Sequence, residues 1–257
     1  MNYNSLLGSK LAKYFNKKYG IITYSGTLAI EVALKSLKLK RKSKVLISSN
    51  VCYSIINTVL KLGLVPVIKT PNNGLFFTNG DIDVVIDKEI IDCILLVHQF
   101  GILNNISKRK YKKLNIKIIE DVAQAWNLKD NNGMNNIGID SDIVVTSFGS
   151  TKPISYGIGG GLFFDNKKIF KEIDFCDNES REKQGIILSY AYPLCKEIKL
   201  DYLLEKANEI VNEQRLCARE YSNVLLNQKT IKYINYEQNS GNVWHRFPMW
   251  VENQKTF

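Results

Sequence analysis

The fold is decided by the stretch Val144-Val145-Thr146-Ser147-Phe148-Gly149-Ser150-Thr151-Lys152-Pro153. Its valine-rich start has the continuous apolar character of a strand that is buried on both faces of a parallel sheet. A hydroxyl-rich turn then presents Lys152, and a glycine-rich segment follows at residues 157–161. A desolvated lysine in such a place can act as a nucleophile toward an aldehyde. Most lysines are solvated surface charges, so this stretch alone is a weak functional signal.

Further apolar runs alternate with helical patterns along the chain. The predicted strands are Ile21–Tyr24, Lys44–Ser48, Val65–Lys69, Cys93–His98, Lys117–Glu120, Ile143–Phe148 and Gly161–Phe164. Helices are predicted between several of them, over Thr27–Leu39, Tyr53–Leu62 and Ser107–Leu114. This alternation predicts an α/β fold whose mostly parallel, seven-stranded sheet is covered by helices. In such sheets ligands bind at the carboxyl ends of the strands.

The character of the chain changes after Phe164. A long helical pattern runs over about Leu203–Asn227, and two short strands are predicted beyond it, one of them Val243–Val251. Two strands do not form an independent core. Either they pack on the main domain or they begin a second, incomplete domain, and the second alternative is favoured. We therefore expect a large domain over residues 1–202, followed by a linking helix and a partial small domain over 203–257.

The basic charge of the chain restricts its partners only loosely. A chain of 257 residues suits one large α/β domain with part of a second, and its net charge is +10. Two clusters, Lys35–Lys44 and Lys108–Lys113, supply much of this charge. They fit solvated helix ends, or attraction of anionic ligands such as nucleotide-linked substrates. Nucleic-acid binding ranks last because no matching motif accompanies the charge.

Cysteine usage and hydropathy indicate a reduced, cytoplasmic protein. No apolar run reaches membrane-spanning length, and residues 1–5 lack the apolar region of a signal peptide. The five cysteines are widely spaced and form no CxxC pair. They suggest neither a disulfide framework nor a zinc site. We expect no metal site and no membrane insertion.

Several groups that suit a phosphate-bearing cofactor cluster at predicted strand ends. Ser25-Gly26-Thr27 closes a strand and opens a helix, with Thr27 as its expected N-cap, and free amides at a helix start bind anions. Asp121 ends another strand, where a carboxylate can hold a proton on a heterocyclic nitrogen. Ser147 can donate to a phosphate, and the glycines at 157–161 let backbone pass close to a bound group. Together with Lys152 these are the groups that pyridoxal 5'-phosphate requires.

The order of these motifs is similar to that of a known family. The motifs are Ser25-Gly26-Thr27, Val97-His98-Gln99-Phe100-Gly101, Glu120-Asp121-Val122-Ala123-Gln124-Ala125, Ser147-Phe148 with Thr151-Lys152, and Gly157 with Gly159-Gly160. In this order they resemble the DegT/StrS-type nucleotide-sugar aminotransferases, which are fold-type I pyridoxal-phosphate enzymes. The resemblance runs from about Leu7 to the end of the chain.

The resemblance implies roles for the residues around the ring of the cofactor. Lys152 would form the Schiff base with the cofactor and then serve as general acid and base. Asp121 would pair with the pyridinium nitrogen and keep the ring an electron sink. Gln124 would lie on the side of the phenolic oxygen. His98 is interpreted as a structural residue at a strand end.

The resemblance also implies a phosphate site and a residue that stacks on the ring. Ser147, Gly26 and Thr27 would bind the phosphate. The family usually has an aromatic residue over the ring, in the segment that matches the region after the second predicted strand. Tyr53 is the candidate for this position, and Cys52 is the alternative.

By this resemblance the chain would be a pyridoxal-phosphate-dependent aminotransferase. It would transfer an amino group from an amino acid, glutamate by expectation, to a keto-sugar on a nucleotide, in surface polysaccharide or antibiotic sugar biosynthesis. A homodimer is expected because the family's sites lie at a dimer interface. A dehydration branch typically replaces the lysine with histidine, and Lys152 argues against it. The alternative is a truncated, catalytically impaired homologue that binds the cofactor and acts as an interaction partner.

Three departures from the family pattern stand out. Trp126 occupies a position where many members have histidine. The Asn-Tyr-Arg-like segment with which a partner subunit commonly completes the phosphate site is not found, and Ser180–Glu182 or Ser189–Tyr192 are candidates for its place. The family's chains are also longer by on the order of a hundred residues, as a small domain of ordinary size requires. We therefore expect a truncated small domain, of which Val243–Phe247 is the first core strand.

Overall fold

Seven strands form the central sheet, as predicted. The protein is described from a computed structural model that covers residues 3–130, 132–169, 200–228 and 231–251. In chain order the strands are β1 (Tyr19–Thr23), β2 (Lys44–Ser48), β3 (Val65–Lys69), β4 (Cys93–Val97), β5 (Lys117–Asp121), β6 (Ile143–Ser147) and β7 (Gly160–Phe164). Each begins and ends within two residues of its predicted position.

The order of strands in the sheet is β1-β7-β6-β5-β4-β2-β3. Strand β7 pairs antiparallel with β1 and β6, and the other neighbouring pairs are parallel. The register aligns Ser147 and Thr23 with Gly160, so β1 and β6 end where β7 begins. One edge of the sheet therefore collects the carboxyl ends of six strands and the start of β7.

Six α-helices of the described ranges accompany the sheet. They are α1 (Tyr3–Ala12), α2 (Gly26–Ser36), α3 (Tyr53–Lys61), α4 (Asn79–Ile86), α5 (Lys108–Lys113) and α6 (Leu200–Leu225). The predictions of α2, α3, α5 and α6 are confirmed, whereas α1 and α4 were not predicted. Helix α4 begins with a capping box, in which the Thr78 hydroxyl accepts from the Asp81 amide and the Asp81 carboxylate accepts from the Thr78 amide. None of the helices in the described ranges has both the length and the apolar character needed to cross a membrane.

Helices cover both faces of the sheet because successive strand residues point to opposite faces. Val145 belongs to a buried cluster that includes apolar residues of α2 and α3. Val144 belongs to the cluster on the other face, together with Phe15 and with Val211 of α6. Strand β4 is buried along its whole length. This burial on two faces explains the continuous apolar runs of the sequence.

The last described residues form a separate two-stranded sheet. Strand β8 (Ile231–Tyr233) pairs antiparallel with β9 (Met249–Val251). The predicted strand Val243–Val251 is therefore wrong over its first part, where Trp244 has a left-handed backbone (φ 60°) that a strand does not accommodate. The Trp244 side chain packs instead in a buried cluster with Leu75 and Ile102. The division at residues 202 and 203 stays a prediction.

Candidate active site

The sheet brings the predicted site residues to its carboxyl edge. Gly26 and Thr27 follow β1, and Tyr53 follows β2. Asp121 ends β5, Ser147 ends β6, and Lys152 lies in the loop between β6 and β7. This edge is where an α/β sheet of this kind binds its ligands.

The start of α2 presents backbone amides at this edge. The expected N-cap, Thr27, is wrong: Ser25 is the cap, with an extended backbone and a hydroxyl that accepts from the Leu28 amide at 3.1 Å. Since the first amides of a helix have no intrahelical acceptor, those of Gly26 and Thr27 are left for a ligand. Together with the helix dipole they favour an anion at this place.

Ser147 lies directly against the start of α2. A Cβ atom added to Gly26 would lie 2.7 Å from the Ser147 Cβ and 3.2 Å from its Oγ. A Cβ added to Gly160 would lie 2.6 Å from the Gly26 nitrogen. Only glycine allows these backbones to approach so closely. The Ser147 hydroxyl and the free amides of α2 therefore converge on one small area.

The loop between β6 and β7 holds Lys152 in a closed turn. The Lys152 amide donates to the Gly149 carbonyl at 2.9 Å, and the Tyr156 amide donates to the Phe148 carbonyl at 2.9 Å. A further bridge joins Gly149 and Gly157. The lysine side chain is half-buried, and its charge acts on Asp121 of the neighbouring strand.

Asp121 is a buried carboxylate at the end of β5. Its Oδ1 accepts from the Ala123 amide at 2.9 Å, which fixes the side chain at the sheet edge. Burial raises the pKa of the Asp121 carboxyl, although the Ala123 amide and the charges of Lys152 and His98 act in the opposite direction. A carboxyl of this kind shares a proton readily with a basic nitrogen beside it.

A buried polar network lies behind Asp121. The Glu120 carboxylate faces Lys108 and the His98 ring, whose Nε2 lies 3.3 Å from Glu120 Oε2. Burial raises the pKa of the Glu120 carboxyl, but Lys108 and His98 outweigh this and lower it to about 2. His98 Nδ1 accepts from the Asn104 amide at 3.1 Å. Both ring nitrogens of His98 therefore face structural partners.

Gln124 lies three residues after Asp121, in the turn that follows β5, and is half-buried. Its Oε1 accepts from the Phe100 amide at 2.9 Å. Because a backbone amide can only donate, the carbonyl end of the Gln124 side chain is committed to Phe100. The amide nitrogen of Gln124 is the group left to donate to a ligand.

Two neighbouring residues compete for the position that Tyr53 was predicted to hold. The Tyr53 side chain is 71% exposed at the first turn of α3. Cys52, the residue before it, is the N-cap of α3, and its thiol accepts from the Ser54 hydroxyl at 3.2 Å. The hydrogen bonds from Ser54 lower the pKa of the Cys52 thiol, and the charge of Lys152 acts in the same direction. The charge of Lys152 thus acts on Cys52, the alternative candidate for this position.

Trp126 packs away from this group of residues. Its ring is buried against Tyr14, at 5.1 Å between centroids, and its Nε1 donates to Asn208 of α6 at 3.2 Å. The proposed substitutes for the partner-subunit segment, Ser180–Glu182 and Ser189–Tyr192, lie outside the described residues.

The sequence did not single out His245, on which the charge of Lys152 also acts. The signal available was its rarity, because the chain has only two histidines.

The chain is similar in sequence to a curated protein. The chain is 25% identical over 260 residues to the 3-oxo-glucose-6-phosphate:glutamate aminotransferase of Bacillus subtilis (strain 168), a match that covers 95% of this chain and 56% of the relative. The chain thus spans a little over half the length of this curated relative.

Two solved structures have the same fold. The crystal structure of NtdA from Bacillus subtilis with bound cofactor PMP superposes with a TM-score of 0.74 at 24% identity, covering 98% of this chain and 59% of that one. The GDP-4-keto-6-deoxy-D-mannose-3-dehydratase of E. coli with bound hydrated PLP gives a TM-score of 0.75 at 16% identity, covering 100% of this chain and 73% of that one. These likenesses establish the fold.

The sequence also matches the model of a protein family. The profile of the DegT/DnrJ/EryC1/StrS aminotransferase family covers residues 2–256, which include the lysine loop, the α2 turn and the acidic end of β5. The chain therefore belongs to the DegT/DnrJ/EryC1/StrS aminotransferase family.

Proposed function

We propose that the protein is a pyridoxal-phosphate-dependent aminotransferase that acts on a sugar. The observation that carries the proposal is the meeting of a half-buried lysine, a buried carboxylate and an anion-binding helix start at one edge of the sheet. Each supports one requirement of the cofactor: a reactive amine, a partner for the ring nitrogen and a cradle for the phosphate.

The residues of the chain fit the cofactor in chemical type. The phosphate would accept from the amides of Gly26 and Thr27 and from the Ser147 hydroxyl, in the area that Gly26 and Gly160 keep free of side chains. The raised pKa of the Asp121 carboxyl suits a group that holds a proton together with the ring nitrogen. The Gln124 amide nitrogen would donate to the phenolic oxygen.

Lys152 would be the catalytic residue. When bound, the cofactor supplies an electron sink for the carbon that loses or gains a proton. Lys152 Nζ would move this proton, since the closed turn between β6 and β7 fixes its backbone beside Asp121. We place Cys52 beside the ring in preference to Tyr53, because the charge of Lys152 helps to lower the pKa of the Cys52 thiol and the Tyr53 side chain is 71% exposed.

The finer parts of the proposal concern substrates, assembly and location. The amino donor would be an amino acid, glutamate by analogy with the name of the Bacillus subtilis relative. The acceptor would be a keto-sugar that carries phosphate or a nucleotide, and the basic surface of the chain suits such an anion. We further propose a homodimer, a role in making surface polysaccharide or antibiotic sugars, and a cytoplasmic location.

The visible absorbance of the purified protein with added pyridoxal 5'-phosphate tests the proposal. We expect a band from cofactor bound through Lys152, and loss of this band in Lys152→Ala. Lys167→Ala is the matched control, because Lys167 is exposed and follows β7 at the opposite edge of the sheet. A band that persists in Lys152→Ala, or is missing from the unmutated protein, would refute the assignment.

Addition of glutamate to the cofactor-loaded protein separates an active enzyme from an impaired homologue. We expect the visible band to convert to the amine form of the cofactor. A band that resists glutamate and other amino acids would favour the catalytically impaired alternative.

A further inference from the structure

Arg215 of α6 donates to three backbone carbonyls in two separate segments of the chain. Its Nε donates to the Asn242 carbonyl at 3.0 Å, and its Nη2 donates to the carbonyls of Gly241 at 3.0 Å and Asn127 at 2.9 Å. Asn127 lies in the turn after β5, three residues beyond Gln124, whereas Gly241 and Asn242 follow β8. A planar guanidinium that donates several charge-assisted hydrogen bonds fixes the two segments relative to each other.

The turn after β5 links the position of Asn127 to that of Gln124. Within this turn the Ala125 amide donates to the Val122 carbonyl at 2.9 Å, and the Leu128 amide donates to the Ala125 carbonyl at 3.3 Å. These bonds close the backbone on both sides of Gln124. A displacement of the Asn127 carbonyl therefore also displaces Gln124.

The segment that Arg215 holds after β8 also bonds to the loop that follows β4. Asn242 Oδ1 accepts from the Leu103 amide at 3.0 Å, and the Val243 amide donates to the Gly101 carbonyl at 2.8 Å. Asn242 thus binds Arg215 through its backbone carbonyl and the loop through its side chain. Arg215 therefore fixes the loop after β4 as well, with one residue between them.

The loop after β4 in turn contacts Gln124. The Phe100 amide donates to Gln124 Oε1 at 2.9 Å. A Cβ atom added to Gly101, whose φ is 76°, would lie 2.7 Å from the Gln124 carbonyl oxygen. The loop thus binds the side chain of Gln124 and lies against its backbone. Arg215 is joined both to this loop and to the turn that carries Gln124.

Unfavourable backbone conformations occur in all three of these segments. Phe100, Asn127 and Trp244 have left-handed backbones, with φ values of 58°, 56° and 60°. Such a backbone is unfavourable for residues as bulky as Phe100 and Trp244, and it persists only where the surrounding structure holds it. Arg215 binds two of the three segments directly and the third through Asn242. Its hydrogen bonds therefore help to maintain a conformation that the chain does not favour by itself.

We propose that Arg215 is a positioning residue of this site, which holds Gln124 Nε2 in place to donate to the phenolic oxygen of the cofactor. The inference rests on the proposed function, which assigns Gln124 to that oxygen. Arg215 acts through the loop after β4 and the turn after β5, and not by touching the cofactor. Because a hydrogen bond weakens steeply with distance and angle, a small shift of either segment weakens the bond from Gln124.

The visible band of Lys152-bound cofactor provides the readout. The band changes with pH when the linking nitrogen and the phenolic oxygen lose the proton that they share. A hydrogen bond donated to this oxygen stabilises its negative charge and so favours loss of the proton. We expect Gln124→Ala to raise the pH midpoint of the change by about one unit, the tenfold effect of one lost hydrogen bond.

Two substitutions of Arg215 test the proposal. Arg215→Met keeps the length of the side chain without its donors, and Arg215→Lys replaces the planar fork with a point charge. We expect both to raise the pH midpoint, Arg215→Met by up to about the one unit of Gln124→Ala and Arg215→Lys by less. Arg219→Lys is the matched control, because Arg219 lies one turn later on α6, is exposed and pairs with Glu220. Its midpoint should not change.

The double variant of Arg215→Met and Gln124→Ala decides whether Arg215 acts through Gln124. If it does, Arg215→Met has little further effect on the midpoint once the Gln124 amide is gone, so the two single shifts do not add. The loss of stability that Arg215→Met causes should persist in the double variant, as urea unfolding measures it. The midpoint and the stability thus separate positioning from a structural role.

Asn242→Ala is a second test that leaves Arg215 unchanged. It removes the bond from the Leu103 amide and keeps the backbone carbonyl that Arg215 binds. We expect a raised midpoint here too, because the loop after β4 loses one of its links to Arg215. This variant tests the proposal even where the Arg215 variants fail to fold.

Other outcomes overturn the inference. An unchanged midpoint in the folded Arg215 variants or in Asn242→Ala, or additive shifts in the double variant, would leave Arg215 with a structural role only. An unchanged midpoint in Gln124→Ala would remove the assignment of Gln124 and the inference with it, while the assignment of Lys152 stands. Absence of the visible band from the unmutated protein would refute the proposed function itself.

Discussion

At the scale of single residues, the site depends on a few polar groups whose pKa differs from its ordinary value. Asp121 has a raised carboxyl pKa and Glu120, its neighbour in sequence, a lowered one, because only Glu120 faces Lys108 directly. Adjacent carboxylates on one strand point to opposite faces of the sheet and so meet different surroundings. Sequence alone gives the pair of acids, whereas their difference in pKa follows from packing.

Cys52 offers a direct test at this scale. We expect iodoacetamide to alkylate Cys52 faster than the exposed Cys217, because Ser54 and Lys152 lower the pKa of the Cys52 thiol and the thiolate is the reactive form. Bound pyridoxal 5'-phosphate should slow this alkylation, since the ring would cover the thiol. Mass spectrometry of the Cys52 and Cys217 peptides measures both rates. Equal rates at Cys52 with and without cofactor would return the ring position to Tyr53.

At the scale of elements, the contact between β7 and the start of α2 shapes the phosphate cradle. Gly160 is the first residue of β7 and pairs with the last residues of β1 and β6. Its Cα lies against the backbone of Ser25 and Gly26. The neighbouring Gly159 forms a bridge to Ser25. The glycine cluster was predicted to let backbone approach a bound group. In the structure, Gly160 of this cluster lets β7 approach the start of α2.

Gly160→Ala tests this contact. Its Cβ would lie 2.5 Å from the Ser25 carbonyl carbon and 2.6 Å from the Gly26 nitrogen, both rigid backbone atoms. We expect a loss of about 1–3 kcal/mol in the free energy of unfolding and at least about tenfold weaker cofactor binding, because α2 must shift. Urea unfolding and absorbance titration measure the two effects.

Gly80→Ala in α4 is the control for this substitution. The nearest atom to its added Cβ is the Thr78 hydroxyl oxygen at 3.8 Å, an ordinary contact. Alanine also favours a helix by about 0.5–1 kcal/mol over glycine. We expect slightly higher stability and unchanged cofactor binding. Similar behaviour of the two variants would mean that the close approach at Gly160 does not matter.

At the scale of the whole molecule, the sequence predicts what local patterns determine. The strands of the central sheet were located within two residues because most of them are apolar runs buried on both faces, and their carboxyl ends then predicted where the site lies. Helix α1 was missed because its residues show no clear apolar stripe. Trp244 and His245 were misjudged as strand because their backbone is set by contacts with Leu75 and Gly101, distant in sequence.

The pH dependence of stability is a prediction for the whole molecule. His245 has an ordinary pKa of 6.5 when unfolded and about 4 when folded, so below pH 6.5 the unfolded chain binds more protons. Its contribution is therefore complete above pH 6.5 and is lost progressively toward pH 4, by up to about 3 kcal/mol. Urea unfolding across this range should show a flatter profile for His245→Gln. Parallel profiles would indicate that His245 is solvated when folded.

Strand β7 runs antiparallel to both of its neighbours in the sheet. This has a consequence for the order in which the parts of the site form during folding. Strands β6 and β7 are neighbours in sequence, so the loop that carries Lys152 can close through local contacts. Strand β1 pairs with β7 although five strands separate them in the chain, and such distant pairings are slow because their loop entropy is lost first. The Ser25–Gly26 turn thus joins Ser147 and Gly160 late in folding. We expect a chain that is still folding to present its lysine before it can hold a phosphate, so that tight cofactor capture marks the finished molecule.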